Sequence, residues 1–290
     1  MELSGDGIME EKRKKSMDKT YHEELGRILS AAQSLGFRAR IHEVVKENCG
    51  TLKGVQVFPR KDSRGAAVIY PSAWTLRLSD LDLRDRILEA AARAEAYEKR
   101  MSDIETFDPE KLRIRVCGAR QNCEMLSHCP HQGRDGIAFV PYLDYGDAGV
   151  VANNSLVGIW GVEPETLMAE AWKQSAKHDP AVIRPVVDII GEERSEDDKG
   201  LLCVTNASAY HGGACLFYPG VMDKLFQRFQ GSYFAIPSSV HEWLVYPADG
   251  GITAKDLADL LRSVNSTLEK SDILSDCLYY YDREGFAVLG

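Results

Sequence analysis

The sequence lacks the features that mark several large classes of protein. No Cys-x-x-Cys pair occurs among its seven cysteines, and no apolar run approaches the roughly 20 residues of a membrane-spanning helix. The first 19 residues are polar, with a basic run at 12–15, and do not contain the apolar core of a signal peptide. From these absences we predict a cytoplasmic protein with reduced thiols and no membrane association.

The common catalytic signatures are also missing. The chain contains no Gly-x-Ser-x-Gly nucleophile turn, no Gly-x-x-x-x-Gly-Lys phosphate loop, no Gly-x-Gly-x-x-Gly and no His-Glu-x-x-His. The sequence therefore predicts no cofactor, and any catalytic site must be sought in less familiar arrangements.

The chain has enough hydrophobic residues to form a core, and its charged residues are distributed unevenly along the sequence. Of its 290 residues, 44% are hydrophobic and 27% are charged, and the formal net charge is −9. Residues 1–120 carry 23 Lys and Arg against 20 Asp and Glu, whereas residues 121–290 carry 12 against 24. Because an acidic surface repels phosphate, nucleic acid is an unlikely partner.

The apolar pattern predicts an α+β fold of mainly antiparallel sheets with helices packed on one face. Capped helical stripes follow Ser79 and Thr253, and hairpins are expected at 54–70 and 278–289. Single helices interrupt the hairpins without strict βαβ alternation. We also expect a short helix at 41–46.

The domain organisation follows from polar stretches. Residues 1–20 read as a disordered polar tail, and residues 21–290 as the α+β domain. A polar stretch at 101–111 that contains Pro109 is the best candidate for a boundary between two lobes.

Two regions could supply a hydrolytic site. The first is Ser238, His241 and Glu242, for which we predict a turn at 237–239 followed by a strand at 240–246. On a strand His241 and Glu242 point to opposite faces, so a triad would need Ser238 folded back by the turn, or an acid from elsewhere, such as Asp276. The structural alternative is that the serines form the turn and His241 packs beside Trp243.

The second region is His211 with the glycines that follow it. Gly212 and Gly213 could present backbone N–H groups to an oxyanion or a phosphate, or they could mark a turn or a close backbone crossing. Cys215 is a candidate nucleophile, although a cysteine in an apolar run is commonly a packing residue.

A zinc site is the third possibility. Cys117, Cys123, Cys129 and His131 have the right chemistry for tetrahedral zinc, but not the close pairing that preorganises such a site. The alternative is that they are packing thiols and a histidine near a helix end.

Several blocks along the chain resemble an uncharacterised bacterial family, domain of unknown function 5688. The resemblance spans about residues 41–290, with the first forty residues as a variable extension. It is carried by segments 48–50, 122–131, 160–162, 202–206, 213–221, 237–242 and 274–276. It implies an intracellular protein of Gram-positive anaerobes. No catalytic residue can be carried over, because the family has no established activity.

Together these observations favour a non-catalytic binding or interaction module whose partner is a protein or peptide. The alternative is a hydrolase-like enzyme that uses Ser238 or Cys215 with His211 or His241. The two hypotheses differ in whether these side chains converge in one cleft.

Overall fold

The computed structural model describes the backbone at residues 5–46, 50–72, 74–146, 149–191 and 200–289. It describes the side chains in those ranges except at 5–18, 46, 102 and 190. The helices are α1 Gly5–Ser34, α2 Asp80–Lys99, α3 Met101–Glu105, α4 Cys123–Leu126, α5 Asn154–Trp160, α6 Pro164–His178, α7 Val186–Ile190, α8 Val221–Phe229 and α9 Ala254–Asn265. Short 3₁₀ helices lie at Thr75–Arg77, Pro109–Lys111 and Gly212–Phe217.

The strands form three sheets. They are β1 Arg38–Lys46, β2 Gly50–Phe58, β3 Ala67–Ile69, β4 Leu112–Gly118, β5 Gln132–Arg134, β6 Ile137–Asp144, β7 Gly149–Val151, β8 Val182–Pro185, β9 Leu202–Thr205, β10 Tyr233–Ser239, β11 Glu242–Pro247, β12 Leu278–Asp282 and β13 Gly285–Leu289. One sheet has the order β1-β2-β3, the second β13-β12-β10-β11-β9-β8, and the third β4-β6-β5 with β7 also on β6.

The chain divides into two compact units. The first covers Met1–Val45 and Thr51–Ile104, and the second covers Lys46–Gly50 and Glu105–Gly290. In the first unit α1 and α2 bury one apolar stripe each against the small sheet, around Leu25, Ile28, Val55 and Ile87. These side chains are almost fully inaccessible to solvent, so they supply the core of this unit.

The second unit contains the two larger sheets. All five strand pairs of the six-stranded sheet are antiparallel. Helix α9 covers one face with Leu257 and Leu261, while α8 packs near Tyr281 on the other. In the third sheet, α6 lies against β4, where the Ser175 hydroxyl accepts a hydrogen bond from the Ile114 backbone N–H at 2.7 Å. The predicted α+β class with antiparallel sheets is confirmed.

Two local predictions are wrong. Residues 41–46 belong to strand β1 and not to a helix, consistent with the β-branched Ile41, Val44 and Val45. The predicted turn at 237–239 is part of β10, and the actual turn is Val240–His241. Pro237 has no N–H for the ladder, and the register shifts between Ile236 and Ser239, so the apparent turn signal marks an irregularity within the strand.

The N-terminal region also differs from the expectation in its secondary structure. Helix α1 begins at Gly5 and therefore covers most of the segment 1–20 that the sequence predicts as a tail. Residues 1–4 lie outside the described part of the chain. The stretch 9–19 is rich in Glu, Lys, Arg and Met, which are good helix formers. Among the described residues, none of the helices is long and apolar enough to cross a bilayer.

Candidate functional site

A polar cleft of about 560 Å³ lies within the second unit. One wall is formed by β4, β6 and the start of β7, and the other by the end of α6 and a loop after β9. Its lining residues are Arg113, Arg115, Tyr142, Asp144, Gly146, Gly149, His178, Asp179, Ser208, Tyr210 and His211. We call this depression the polar cleft.

The alternation of β4 places two arginines on the cleft wall. Leu112 and Ile114 point into the core, so Arg113 and Arg115 point the other way. Arg113 donates from Nη1 to the carbonyl oxygens of Glu110 and Leu112 at 2.7 and 2.8 Å. Its Nε lies 3.9 Å from Asp144 Oδ2.

Arg115 stacks on an aromatic ring of the neighbouring strand. Its guanidinium carbon lies 4.1 Å from the centre of the Tyr142 ring. A Cβ at position 149 would come within 2.6 Å of Arg115 Nη2. Gly149 therefore leaves the space that this guanidinium occupies.

The opposite wall is the loop at residues 206–211, and Asn206 holds its shape. Asn206 is only 2% exposed. Its Oδ1 accepts hydrogen bonds from the Tyr210 N–H and the Ser208 hydroxyl, both at 3.1 Å. Its Nδ2 donates to the Tyr210 carbonyl at 2.8 Å and to Asp179 Oδ2 at 2.6 Å. One buried amide thus ties the loop to the acid at the end of α6.

Two residues of this loop have left-handed backbones that only glycine adopts without cost. Ala209 has φ 52° and His211 has φ 53°. Such positions are rare for residues with a Cβ and cost on the order of 1 kcal/mol each. They turn the chain so that Tyr210, which is 61% exposed, stands at the edge of the cleft.

His241 supports the loop from behind. It lies in the β10–β11 turn, and its Nδ1 accepts a hydrogen bond from the backbone N–H of His211 at 2.9 Å. The Tyr210 and His241 rings are stacked with their centres 5.1 Å apart, and the two imidazole centres are also 5.1 Å apart. Thr205 donates to the His241 carbonyl at 2.7 Å, which fixes the turn against β9.

The two titratable groups beside this loop both have perturbed pKa values. Burial, assisted by the charges of Arg115 and His241, lowers the pKa of His211 to about 3, so its imidazole is neutral at pH 7. Burial raises the pKa of the Asp179 carboxyl, although the hydrogen bond from Asn206 and the charge of Arg113 oppose this shift. Perturbed groups gathered in a cleft are a physical indication of a functional site.

These groups also keep hydrogen-bonding capacity toward the cleft. Among the described residues, neither ring nitrogen of His211 has a hydrogen-bond partner, and Asp179 Oδ1 has none either. A neutral imidazole can both donate and accept, and a carboxylate oxygen accepts. The cleft can therefore bind polar groups of both kinds.

The structure brings together only part of the predicted hydrolytic set. His211 and His241 are neighbours, but no hydrogen bond within the described chain joins Ser238 or Cys215 to either imidazole. The Ser238 hydroxyl donates to Glu242 Oε1, and the Cys203 thiol donates to Glu242 Oε2, both at 3.3 Å.

Cys215 is a poor nucleophile in this environment. It is fully buried, and burial raises the pKa of its thiol to about 12. The thiolate that would attack a substrate is therefore strongly disfavoured. The adjacent glycines are also committed to structure, because the Gly213 N–H donates to the Val240 carbonyl and its own carbonyl accepts from Trp243 Nε1.

The four predicted zinc ligands lie in different environments. Cys117 and Cys129 lie in an apolar cluster with Leu126, Ala138 and Val140. Cys123 is exposed, and His131 Nδ1 lies 3.1 Å from the Cys129 carbonyl oxygen. Within the part of the chain that the structure describes, no group of three or more His, Cys, Asp or Glu residues is arranged to hold a metal ion.

Sequence reasoning missed most of the cleft. Arg113 and Arg115 alternate with buried apolar residues, a pattern that indicates only a strand with one solvent face, and the cleft lies on that face. The sequence hints at Asp179 only because it is a polar residue between the end of α6 and Pro180. It hints at Asn206 only because this polar residue directly follows a buried strand.

A second depression in the same unit has the opposite character. This apolar groove, of about 150 Å³, lies between β10, β11 and α9. Its lining residues are Leu201, Ile236, Ser238, Leu244, Tyr246, Ile252, Leu257, Leu260, Leu261 and Val264. Leu260 is 58% exposed there.

Comparison with known proteins assigns the chain to one family. The model of a family of unknown function (DUF5688) matches residues 18–283. The chain belongs to this family. The match includes residues 18–40, so the prediction that the shared region starts near 41 is wrong. No curated protein and no solved structure matches the chain.

Proposed function

We propose that this member of the DUF5688 family is a non-catalytic binding module whose polar cleft takes a small polar ligand or the end of a peptide. The observation that carries the proposal is the loop at 206–211, in which a buried amide and an imidazole hold a strained backbone against the cleft. Strain and buried polar networks persist where the surrounding structure enforces them, and they cluster at binding sites.

The size and chemistry of the cleft support this reading. Its volume of about 560 Å³ falls in the range of small-molecule sites. Arg115, Asp179 and His211 provide cationic, anionic and neutral groups for hydrogen bonding within that volume. A preorganised set of this kind needs little reorganisation on binding, which favours affinity.

The test is a binding screen with a matched pair of variants. Small polar molecules and short peptides are tested singly by calorimetry against the wild-type protein, Tyr210→Ala and Leu260→Ala. Both residues are largely exposed, so neither substitution removes core packing. We expect Tyr210→Ala to weaken binding of any ligand found by about tenfold, since it removes a stacking surface, and Leu260→Ala to leave it unchanged. Equal effects of the two variants would contradict the proposal.

A thiol-labelling experiment separates this function from a hydrolase that uses Cys215. With iodoacetamide at pH 8 and peptide mapping by mass spectrometry, we expect rapid labelling of the exposed Cys123 and Cys277. Cys203 and Cys215 should stay unlabelled, because burial raises the pKa of each thiol to about 12. Labelling of Cys215 before Cys123 would favour the enzyme hypothesis.

A further inference from the structure

We infer that the first unit carries a binding surface of its own, a groove beside β3 that takes an extended, acidic segment of a partner protein as an added strand. This inference concerns a surface other than the polar cleft and goes beyond the proposed function. It follows from the open edge of the small sheet, the shape of the groove and the charges that line it.

The small sheet has two edges, and only one of them is protected by charge. β1 forms one edge, and four of its nine residues are charged, which hinders pairing with another chain. β3 forms the other edge and consists of Ala67, Val68 and Ile69. Within the described part of the chain, β3 pairs with β2 alone.

The backbone of β3 can accept a further strand. Successive residues of a strand direct their N–H and C=O groups to alternate sides, so part of this backbone points away from β2. Outside the β2 pairing, no hydrogen bond within the described chain uses the backbone of residues 67–69. These groups are therefore available to a partner.

A groove of about 340 Å³ follows this edge. Its lining includes the consecutive residues 67–70 and one face of α2 at Arg86, Ala90 and Arg93. Consecutive side chains of a strand point to opposite faces, so a groove that contacts four positions in a row runs along the edge of the strand. We call it the edge groove. A sheet edge with side-chain pockets beside it is the arrangement that binds an extended peptide by strand addition.

The charged residues that line the edge groove are both basic. Arg86 Nη1 lies 3.1 Å and Arg93 Nη2 lies 3.8 Å from the same oxygen of Glu89, so two guanidinium groups share one carboxylate. No other ion pair within the described chain reaches either guanidinium. Position 73 lies outside the described residues, and as an alanine it adds no charge. The groove therefore favours an acidic side chain.

Trp74 adds an aromatic wall to the edge groove. It is 52% exposed, and the guanidinium carbon of Arg86 lies 5.0 Å from the centre of its ring. Exposed tryptophan and arginine side chains are typical of residues that dominate binding energy at interfaces. We therefore expect an apolar side chain of the partner on Trp74. A second copy of this chain is a poorer occupant, because pairing through β3 would bring two basic grooves together.

The test starts from a phage-displayed library of random peptides of about ten residues, a length that covers an ordinary strand. Selection is carried out on the full-length protein. We expect the selected peptides to be rich in Asp or Glu and to alternate them with apolar residues. If the library yields no peptide that depends on the edge groove, the inference is overturned.

Backbone methylation of the best peptide tests strand addition without altering the protein. Two synthetic forms are methylated at alternate nitrogens, one at even and one at odd positions, and are titrated by fluorescence anisotropy. One form should bind about tenfold or more weakly and the other nearly as well as the parent, because only one set of N–H groups faces β3. Equal losses in the two forms would exclude strand addition.

Two substitutions with matched controls locate the contacts. Trp74→Ala should weaken peptide binding about tenfold, and Arg93→Gln about fivefold. The controls Leu76→Ala and Arg84→Gln change exposed residues nearby in the sequence that are not among the lining residues of the edge groove, and they should leave affinity unchanged.

Tyr210→Ala separates this inference from the proposed function. Because Tyr210 lines the polar cleft, this variant should bind the peptide as the wild type does. Peptide binding that is lost in Tyr210→Ala and kept in Trp74→Ala would support the polar cleft as the binding site and overturn the edge groove. Sedimentation showing a dimer that Trp74→Ala dissociates would assign the groove to a second copy and would also overturn the inference.

Discussion

The polar cleft and the apolar groove lie in the same unit, and they differ in what holds their walls. The cleft is bounded by a loop with two left-handed residues, and a buried amide makes four hydrogen bonds to hold that loop. The groove is bounded by strands β10 and β11 and the helix α9, whose inner side chains pack in an ordinary apolar cluster. The walls of the groove are held by apolar packing, whereas the walls of the cleft are held by polar residues such as Asn206.

The difference teaches where to look for function. Burying Leu257 and Leu261 stabilises the fold whatever the protein does. Placing Ala209 and His211 in strained conformations destabilises it, and burial of Asp179 disfavours the ionised form of this acid. These features lower stability, and the surrounding structure still holds them in place. Such features are typical of functional sites, so they indicate that the cleft is the binding site.

The largest expected effect comes from removing the amide that holds the cleft. Asn206→Ala should lower the free energy of unfolding by about 2–4 kcal/mol, because several buried partners lose hydrogen bonds at once. The matched control is Asn265→Ala on α9, since Asn265 is also buried and donates to the Ser275 carbonyl and Asp276. Chemical denaturation measures both losses.

The comparison is sharpened by ligand binding to the same two variants. Asn206→Ala should weaken binding in the cleft, whereas Asn265→Ala should lose stability and keep affinity. If the two variants lost affinity equally, the effect would be a general consequence of reduced stability, and the special role of the loop would be refuted.

The pH dependence of stability gives the next largest effect. His211 has a folded pKa of about 3, below its unfolded value near 6.5, so the unfolded chain binds the proton first as the pH falls. Stability from this residue is present above about pH 6.5 and is lost between that value and about 3. Because the ring is partly exposed, we expect about 1–2 kcal/mol over this interval.

The substitution that isolates the contribution of His211 to the pH dependence is His211→Asn, since Asn tolerates the left-handed backbone. The variant should lose less stability than the wild type between pH 6.5 and 4, measured by urea denaturation at each pH. His128→Asn is the control, because His128 is exposed in the same unit. Identical pH profiles for the wild type and His211→Asn would contradict the account.

A smaller effect of opposite sign is expected at Ala209. Ala209→Gly should raise the free energy of unfolding by about 0.5–1 kcal/mol, since glycine adopts φ 52° without the steric cost of a Cβ. Ala207→Gly in the same loop is the control and should lower it, because position 207 does not have a positive φ. Thermal unfolding under identical conditions is sufficient to rank the three proteins.

The smallest effect is expected in the groove. Leu260→Ala should change stability by less than about 0.5 kcal/mol, because the side chain is largely exposed and alanine is a good helix former. Its neighbour Leu261 is buried, and Leu261→Ala should cost about 2–4 kcal/mol. A large loss in Leu260→Ala would show that the groove is part of the core.

Much of the fold could be predicted because local signals agreed with it. Ser79 and Thr253 cap α2 and α9 as their spacing indicates, and the terminal hairpin β12–β13 turns at residues 283–284 before Gly285. These features depend on a few neighbouring residues. The strand at 41–46 was missed because a short apolar run does not distinguish a helix from a strand.

The cleft could be predicted only in part because its contacts are long-range. His211 and His241 are thirty positions apart, and the hydrogen bond that joins them uses a backbone N–H that carries no residue-specific signal. The link from Asn206 to Asp179 depends on how α6 ends beside β9. Residue types suggested that His211 was worth attention, but only the fold shows that it lines the same cleft as Arg115 and Asp179.

The most direct test of the binding site is to map where a bound ligand acts on the protein. With the best ligand from the screen, ¹H–¹⁵N correlation spectra of the wild-type chain are recorded across a titration. We predict that the largest shifts fall on the backbone amides of residues 113–115, 144–146 and 206–211, while amides of α9 stay unchanged. The largest shifts on α9 and β11, with those around Asn206 unmoved, would contradict the assignment of the cleft as the site.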